Sequence, residues 1–172
     1  RFSIDKFPYS NISNFETDVG DLVSAQGSPA KGAAEMVGNS SSTSGYASGG
    51  YAKNPPFLPP FSFDHLTDIT KYPFATDANA TDVGDTTAAK ETAAPQNSTE
   101  NGYMSGGHTS PFSVINVIEK FPFASDGNST DVGDLTVSRE YVSGISSTTH
   151  GYSAGGSIPP SPSPFLYNTI DK

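Results

Sequence analysis

The chain of 172 residues contains no cysteine, which excludes disulfide bonds, cysteine nucleophiles and thiolate metal sites. It has only 9 lysines and arginines, scattered without a basic stripe, so nucleic acid and anionic membranes are poor candidate partners. No apolar run approaches the roughly 18 residues that a membrane-spanning helix needs. The sequence therefore predicts neither a nucleic-acid partner nor a membrane span.

What the chain does contain is mainly Ser, Thr, Gly, Asn and Tyr, with 34% hydrophobic residues and a net charge of −9. The 17 glycines and 14 prolines together stay below the share of roughly 25–30% at which composition alone argues for disorder. We therefore expect a folded chain with a thin core that is stabilised largely by backbone pairing. The polar composition favours an extracellular or virion-surface location.

Three motifs recur in the same order along the chain. The first is Ile-x-Lys-aromatic-Pro-aromatic, at Ile4–Tyr9, Ile69–Phe74 and Ile118–Phe123. The second is TDVGD, at Thr17–Asp21, Thr81–Asp85 and Thr130–Asp134. The third is GYxxGG, at Gly45–Gly50, Gly102–Gly107 and Gly151–Gly156.

The spacing of the motifs shows that they belong to one tandem repeat. From the Ile of the first motif to TDVGD the steps are 13, 12 and 12 residues, and from there to the GY pair they are 28, 21 and 21. The predicted organisation has four parts. They are repeat 1 with an insertion and a Pro-rich connector at 1–68, repeat 2 at 69–117, repeat 3 at 118–156, and a Pro-rich tail with the start of a fourth repeat at 157–172.

Each copy is expected to form four short strands. The two aromatic residues on either side of Pro73 or Pro122 share one face of a strand, and the proline favours a strand at the sheet edge. The other β-prone runs are separated by Gly, Ser and Asn turns, and no ten-residue stretch carries a helical period. Four short strands per repeat is the arithmetic of a propeller blade. The sequence predicts an all-β chain of three tandem four-stranded blade-like repeats.

The third copy resembles a kelch repeat in the order of its features. A strand and a turn are followed by Arg139, by Gly144 and by a closing glycine doublet. The motifs are also similar to the IDKFPF, TDVGDL and GYxSGG arrays of predicted proteins from aquatic phages and environmental microbes. The kelch resemblance implies a β-propeller. Closed propellers use four to eight blades, so three copies imply an incomplete or open propeller that neighbouring copies complete.

Two explanations of the three copies remain open. One is that the chain is part of a longer array. The other is that the tail from Ser157 to Lys172 pairs with a neighbouring molecule by strand addition, which gives a head-to-tail polymer. The Pro-rich half of the tail is expected to be extended and semi-rigid, which suits that role. The residues expected at such a subunit contact are Ile4, Phe165, Tyr167 and Ile170.

Calcium is the one cofactor that the sequence suggests. Oxygen-bearing side chains stand at positions 1, 3, 5 and 9 of two loops, which resemble the calcium loops of integrin-type propellers. Both loops depart from that pattern at position 6, where Asp82 or Asp131 replaces Gly. The alternative is that these side chains cap a turn by bonding to nearby backbone. The candidate ligands are Asp77, Asn79, Thr81 and Asp85 in copy two and Asp126, Asn128, Thr130 and Asp134 in copy three.

The same asparagines carry a rival prediction, because N-x-[ST] sequons are acceptors for N-linked glycans. An asparagine cannot easily serve both as a calcium ligand and as a glycan anchor, so the two interpretations compete at Asn79 and Asn128. Five sequons are a modest excess over chance. The candidate glycosylation sites are Asn11, Asn39, Asn79, Asn97 and Asn128.

No catalytic centre is recognisable. The three histidines, His65, His108 and His150, lie in unlike contexts and suggest no shared ligand set. The aspartate pair of TDVGD is present in every copy, so it is expected to serve the repeat rather than catalysis. The tyrosines of the GY pairs are expected in the core or between repeats.

The sequence therefore predicts a structural repeat protein and no enzyme. We expect it to form part of an extracellular or virion fibre, to assemble head to tail with copies of itself, and to carry glycans. The alternative is a glycan-binding or adhesion propeller module of a phage fibre or cell-surface protein.

Overall fold

A computed structural model of the chain consists of strands and turns. The residues that it describes are 3–9, 17–22, 33–53, 63–111, 113–159 and 165–172. They include no helix at all, and therefore none that is long and apolar enough to span a membrane. The prediction of an all-β chain is confirmed for these residues.

The strands are short, because Gly, Ser and Pro interrupt the apolar runs every few residues. In the described part of the chain they are β1 Ser3–Lys6, β2 Thr17–Asp21, β3 Ala33–Ala34, β4 Val37–Ser40, β5 Ser44–Ser48, β6 Tyr51–Lys53, β7 Phe63–His65, β8 Asp68–Pro73, β9 Thr81–Asp85, β10 Lys90–Glu91, β11 Ala94–Asn97, β12 Asn101–Ser105, β13 His108–Thr109, β14 Ser113–Val114, β15 Val117–Pro122, β16 Thr130–Asp134, β17 Ser143–Ser146, β18 Gly151–Ala154, β19 Ser157–Ile158, β20 Phe165–Leu166 and β21 Ile170–Asp171.

Two four-stranded antiparallel sheets have the same plan. Sheet 1 has the strand order β4-β5-β8-β9, and sheet 2 has the order β11-β12-β15-β16. Each sheet joins the GY hairpin to the hairpin formed by the Ile-x-Lys strand and TDVGD. The sheets thus span the boundaries predicted between repeats, since sheet 1 takes two strands from each side of residue 68. None of the sheets in the described residues closes into a barrel.

Two partial sheets flank this pair. The N-terminal hairpin, β1-β2, corresponds to the last two strands of a full sheet. Sheet 3, with the order β17-β18-β21, corresponds to the first three. Three small side sheets lie beside the main ones, with the orders β3-β6-β7, β10-β13-β14 and β19-β20. We call them side sheets 1, 2 and 3.

The glycine of each GY pair makes room for an aromatic ring on the next strand. Gly45 lies opposite Tyr72, and Gly102 lies opposite Phe121. A Cβ atom on Gly102 would lie 2.5 Å from Cζ of Phe121, and one on Gly45 would lie 2.3 Å from Cζ of Tyr72. The GY motif and the aromatic-Pro-aromatic motif are therefore two halves of one cross-strand contact.

The TDVGD strand carries a β-bulge in every copy. The register shifts between Ile4 and Asp5, between Ile69 and Thr70, and again in sheet 2. Beside the bulge, the first aspartate accepts a hydrogen bond from the glycine N–H two residues later, for example Asp82 Oδ1 from Gly84 at 3.2 Å. Asp82 and its equivalents thus bond to nearby backbone, which is the kind of contact expected under the alternative to calcium binding.

The first strands of successive sheets pack on one another, β4 against β11 and β11 against β17. Between sheets 1 and 2 lies a small apolar core that includes Val37, Tyr46, Ile69, Met104 and Phe121, all less than 3% exposed. Tyr46 and Phe121 in this core belong to the repeated motifs, as does Ile69. The core is thus built between repeats and not inside one.

Candidate functional site: the contacts between successive sheets

The loop that precedes TDVGD in one sheet bonds to the last strand of the sheet before it. Oδ1 of Asn79 accepts a hydrogen bond from the backbone N–H of Asp21 at 2.9 Å, and the Ala80 N–H donates to Asp21 O at 2.9 Å. One sheet later, Asn128 Oδ1 accepts from Asp85 N at 3.0 Å and Ser129 N donates to Asp85 O at 2.8 Å. The equivalence of the two contacts shows that each sheet docks on its predecessor in the same way.

An ion pair accompanies each of these contacts. Lys6 Nζ lies 2.8 Å from Asp77 Oδ1, and Lys71 Nζ lies 2.9 Å from Asp126 Oδ1. The hydrogen bond to Asp126 raises the pKa of Lys71 above its usual value. These pairs are exposed, so each is worth only about 0–1 kcal/mol and serves mainly to set the register of docking.

The predicted calcium ligands therefore make contacts to protein groups. Besides the bonds of Asp77, Asn79, Asp126 and Asn128, Asp85 accepts a hydrogen bond from Thr67 Oγ1 at 2.6 Å, and Thr81 Oγ1 lies 3.5 Å from Lys71 O. Thr130 and Asp134 occupy the ends of β16. Calcium binding at these loops stays a prediction, and a bound ion would compete with the lysines for Asp77 and Asp126.

Buried amides link the first strands of successive sheets. Nδ2 of Asn39 donates to the backbone O of Gln96 at 2.9 Å and to Tyr103 O at 3.2 Å. Gln96 occupies the same position in sheet 2, and its Nε2 donates to Tyr152 O at 3.2 Å in sheet 3. Ile145 holds this position in sheet 3 and is 59% exposed. The amide ladder thus crosses two interfaces and reaches an apolar residue on the outer face.

The glycosylation candidates differ in access. Asn79 and Asn128 are exposed, Asn97 is half-buried, and Asn39 is 5% exposed. A glycan on Asn39 would be attached to the Nδ2 atom that bonds to sheet 2. Asn11 lies outside the described residues. Glycosylation at these positions stays a prediction, and Asn79 and Asn128 are the most exposed of the described candidates.

Two equivalent positions hold an ion pair in sheets 2 and 3 and uncharged residues in sheet 1. Lys90 Nζ lies 2.7 Å from Glu119 Oε1, with both side chains at most 1% exposed. The corresponding residues in sheet 3 are Arg139 and Asp171, 2.6 Å apart. In sheet 1 the same two positions hold Ala33 and Thr70. Charge is therefore present at both positions or at neither, as burial requires.

The tyrosine of the GY pair is covered by aromatic rings between sheets 1 and 2 but faces an open cavity between sheets 2 and 3. Tyr46 is 2% exposed because Phe121 and Phe123 cover it, with ring centroids 5.3 and 4.9 Å away. Its counterpart in sheet 2, Tyr103, is half-buried and lines an open cavity of about 320 Å³ between sheets 2 and 3. Ile118 and Gly151 line the same cavity. We call this cavity the aromatic seat.

The predicted subunit-contact residues lie in strands and turns at the two ends of the array. Ile4 lies in β1, Phe165 in β20 and Ile170 in β21, and the Tyr167 N–H donates to Gly156 O at 3.0 Å. The tail strands pair within the chain, β20 with β19 and β21 with β18. The tail thus adds one strand to side sheet 3 and one to sheet 3, and its predicted pairing with a neighbouring molecule stays a prediction.

One polar cluster was not expected from the sequence. His65 of β7, Glu91 of β10 and His108 of β13 come together across side sheets 1 and 2. Nε2 of His108 lies 2.6 Å from Glu91 Oε1, and Nε2 of His65 lies 3.5 Å from the same oxygen. The structure thus places two of the three histidines beside one carboxylate. His150 lies apart, in the turn beside Tyr152.

No known family model matches this chain, and no curated protein matches it.

Proposed function

We propose that the chain is a structural repeat protein that assembles head to tail, with the first hairpin of one molecule completing sheet 3 of the next. The observation that carries the proposal is the aromatic seat, whose counterpart between sheets 1 and 2 is filled by Phe121 and Phe123. The occupant proposed for the seat is the Phe7-Pro8-Tyr9 segment of a second copy.

The N-terminal hairpin has the features that the seat requires. Phe7 is 56% exposed and Tyr9 is 95% exposed, although both belong to the motif whose third copy is in the core. The edge of β1 away from β2 pairs with no described strand, whereas the corresponding strands β8 and β15 each pair with a GY strand. Exposed aromatic rings and an open strand edge together favour association.

The GY strand that β1 needs is β18 of sheet 3, which pairs with only the two residues of β21. These two residues and Lys172 repeat the sequence Ile4-Asp5-Lys6 of β1, so β1 of a second copy would replace β21. Asp5 of a second copy can therefore take the place of Asp171 beside Arg139. With β2 following β1, the completed sheet has the four strands and the bulge of sheet 2.

Sedimentation velocity over a wide range of concentration tests the proposal. We expect the chain to form a concentration-dependent series of oligomers, and we expect removal of residues 170–172 to strengthen association because it frees β18. The double variant Phe7→Ser, Tyr9→Ser should abolish the series. Both side chains are exposed, so the variant should keep the fold.

The discriminating variant is Phe165→Ser, which removes another exposed aromatic ring at a position that the sequence predicts to lie in the subunit contact. Its result separates association through the first hairpin from association through the tail. The Phe165→Ser chain should assemble like the unchanged chain. A chain that stays monomeric at every concentration, or one whose assembly depends on Phe165 and not on Phe7 and Tyr9, overturns the proposed mode of association.

An array of this kind suits an extracellular or virion fibre, whose blade-like units are then an open propeller extended from molecule to molecule. The exposed Asn79 and Asn128 are the positions at which we expect glycans on material from the native source, with none on Asn39. Mass spectrometry of glycopeptides checks this expectation. A glycan mapped to Asn39 would contradict the buried amide ladder.

A glycan-binding module is the second candidate, favoured by the composition of the aromatic seat. The Tyr103 ring there is surrounded by amide and hydroxyl groups, including those of Gln96, Ser147 and Thr149. Aromatic rings with polar neighbours suit a sugar face. Binding on a glycan array that Tyr103→Ala abolishes, by a chain that remains monomeric, would favour this function over assembly.

A further inference from the structure

Three potential metal ligands meet where side sheet 1 contacts side sheet 2. They come from different strands, His65 from β7, Glu91 from β10 and His108 from β13, and their ligand atoms lie within 4.8 Å of one another. The three side chains are 17%, 9% and 10% exposed, so the cluster is close to the surface but largely shielded from water. Two imidazoles and one carboxylate are a ligand set of zinc sites that keep a fourth position for water.

The two distances from Glu91 Oε1 to the histidines can be compared with those of a tetrahedral site. Ligand atoms at about 2.0–2.2 Å from a zinc ion lie about 3.4 Å apart. The distance of 3.5 Å between His65 Nε2 and Glu91 Oε1 already fits, and that of 2.6 Å between His108 Nε2 and Glu91 Oε1 must lengthen by roughly 0.8 Å. A rotation of the Glu91 carboxyl group supplies a shift of that size.

A second carboxylate orients one of the histidines. Glu140 Oε2 lies 2.5 Å from Nδ1 of His108, on the side of the ring opposite Glu91. A carboxylate on one imidazole nitrogen holds the proton there and directs the lone pair of the other nitrogen towards a metal. The Glu140–His108 contact therefore has the arrangement typical of a positioned metal ligand.

The surroundings favour a cation. Two carboxylates face His108, since Glu91 Oε1 lies 2.6 Å from its Nε2 atom and Glu140 Oε2 lies 2.5 Å from its Nδ1 atom. Glu91 is 7% exposed, and its Oε2 atom has no hydrogen-bond partner among the described residues. A buried carboxylate oxygen without a donor is costly unless a cation satisfies it.

The cluster does not belong to the repeat pattern. The position of Glu91 holds Ala34 in the first copy, and the position of His108 holds Ser157 in the third. His65 corresponds to Val114 in side sheet 2. The carboxylate recurs in the third copy as Glu140, but neither histidine recurs, so the complete set of His65, Glu91 and His108 occurs once in the chain.

We propose that His65, Glu91 and His108 bind one divalent transition-metal ion of the zinc class, with Glu140 as the positioning residue, and that the ion ties side sheet 1 to side sheet 2. The site is separate from the aromatic seat and independent of head-to-tail assembly. It leaves one tetrahedral position for water.

Titration calorimetry with zinc chloride tests the proposal on untagged, chelator-treated protein. We expect one zinc ion per chain and a rise in the melting temperature. A titration with cobalt chloride should give the visible absorption of a tetrahedral N,O site. His65→Ala should abolish zinc binding and the rise in the melting temperature. Glu140→Gln should weaken zinc binding about 10- to 100-fold while keeping one ion per chain.

His150→Ala is the matched control, since it removes a histidine outside the cluster, and it should bind zinc like the unchanged chain. Circular dichroism of the metal-free variants shows whether each is folded. The proposal fails if folded His65→Ala and His108→Ala chains still bind zinc with unchanged affinity, if His150→Ala abolishes binding, or if the unchanged chain binds no zinc.

Discussion

Gly102 lies opposite Phe121, and the ring occupies the space that a side chain at this position would fill. We predict that Gly102→Ala destabilises the protein by about 1–3 kcal/mol, because the added methyl group overpacks the core between sheets 1 and 2. Urea denaturation followed by circular dichroism measures this.

Gly38 provides the comparison, since it is also a strand glycine but a Cβ there meets no atom within 4 Å. Gly38→Ala should be neutral or stabilise by about 0.4–1 kcal/mol through the unfolded chain. Equal losses for the two variants would show that the ring of Phe121 does not rest on Gly102.

At the level of single residues, the sequence predicts some roles and not others. The GY tyrosines were expected in the core or between repeats, and Tyr46 lies there. The sequon at Asn39 looks like those at Asn79 and Asn128, yet its amide is buried against Gln96 of the next sheet. That contact depends on how successive sheets stack, so the residues around Asn39 in the sequence do not predict it.

Among the strands, the Lys90–Glu119 pair joins β10 to β15 through two fully buried charges. Removing one partner leaves the other charge buried, so we predict that Lys90→Ala costs about 3–5 kcal/mol. The chain itself supplies the rescue, because sheet 1 has Ala33 and Thr70 at these positions. The double variant Lys90→Ala, Glu119→Thr should recover much of the loss, and a double variant as unstable as the single one would contradict this role.

The same pair makes stability depend on acid. Burial alone raises the pKa of the Glu119 carboxyl, but the charge of Lys90 and the hydrogen bonds from Lys90 and Thr87 outweigh it and hold the pKa below the usual value of 4.5. Stability from Glu119 is therefore fully present above about pH 4.5 and is lost as the pH falls through the lower folded pKa. Denaturation curves at decreasing pH should show a steeper loss for the unchanged chain than for the double variant. Parallel losses would refute the effect.

At the level of strands, the positions of the repeated motifs predicted where strands lie. β8, β15 and β21 begin at or beside the predicted Ile-x-Lys positions, and β2, β9 and β16 coincide with TDVGD. The sequence did not predict which of the four strands in a repeat begins a sheet. Four consecutive strands give a sheet of equal size whichever strand comes first. The aromatic ring over Gly45 or Gly102 decides which strand comes first, since it makes the GY strand and the next Ile-x-Lys strand neighbours.

For the whole molecule, the sequence indicates that the repeats stabilise one another. It does not predict which residues form the contacts between them. The core between sheets 1 and 2 and the open aromatic seat beyond it follow from stacking. The His65, Glu91 and His108 cluster was missed because its members are far apart in sequence and lie outside the repeated motifs. The absence of both histidines from the equivalent positions of the other copies is the signal that could have found the cluster.

Head-to-tail assembly through the first hairpin is the central claim, and the absence of cysteine allows a direct measurement. In sheet 2, Tyr103 lies opposite Lys120, so Lys6 of one molecule should lie opposite Tyr152 of the next. Opposed strand residues are close enough for a disulfide bond. A chain carrying Lys6→Cys is mixed with a chain carrying Tyr152→Cys under mild oxidation.

Head-to-tail assembly predicts a mixed disulfide between the two chains, identified by peptide mass spectrometry and formed faster than either homodimer. Within one chain, Lys172→Cys with Tyr152→Cys should form an internal disulfide and block that product, because β21 then keeps the place beside β18. Homodimers alone, or mixed dimers at the random rate, would contradict the account.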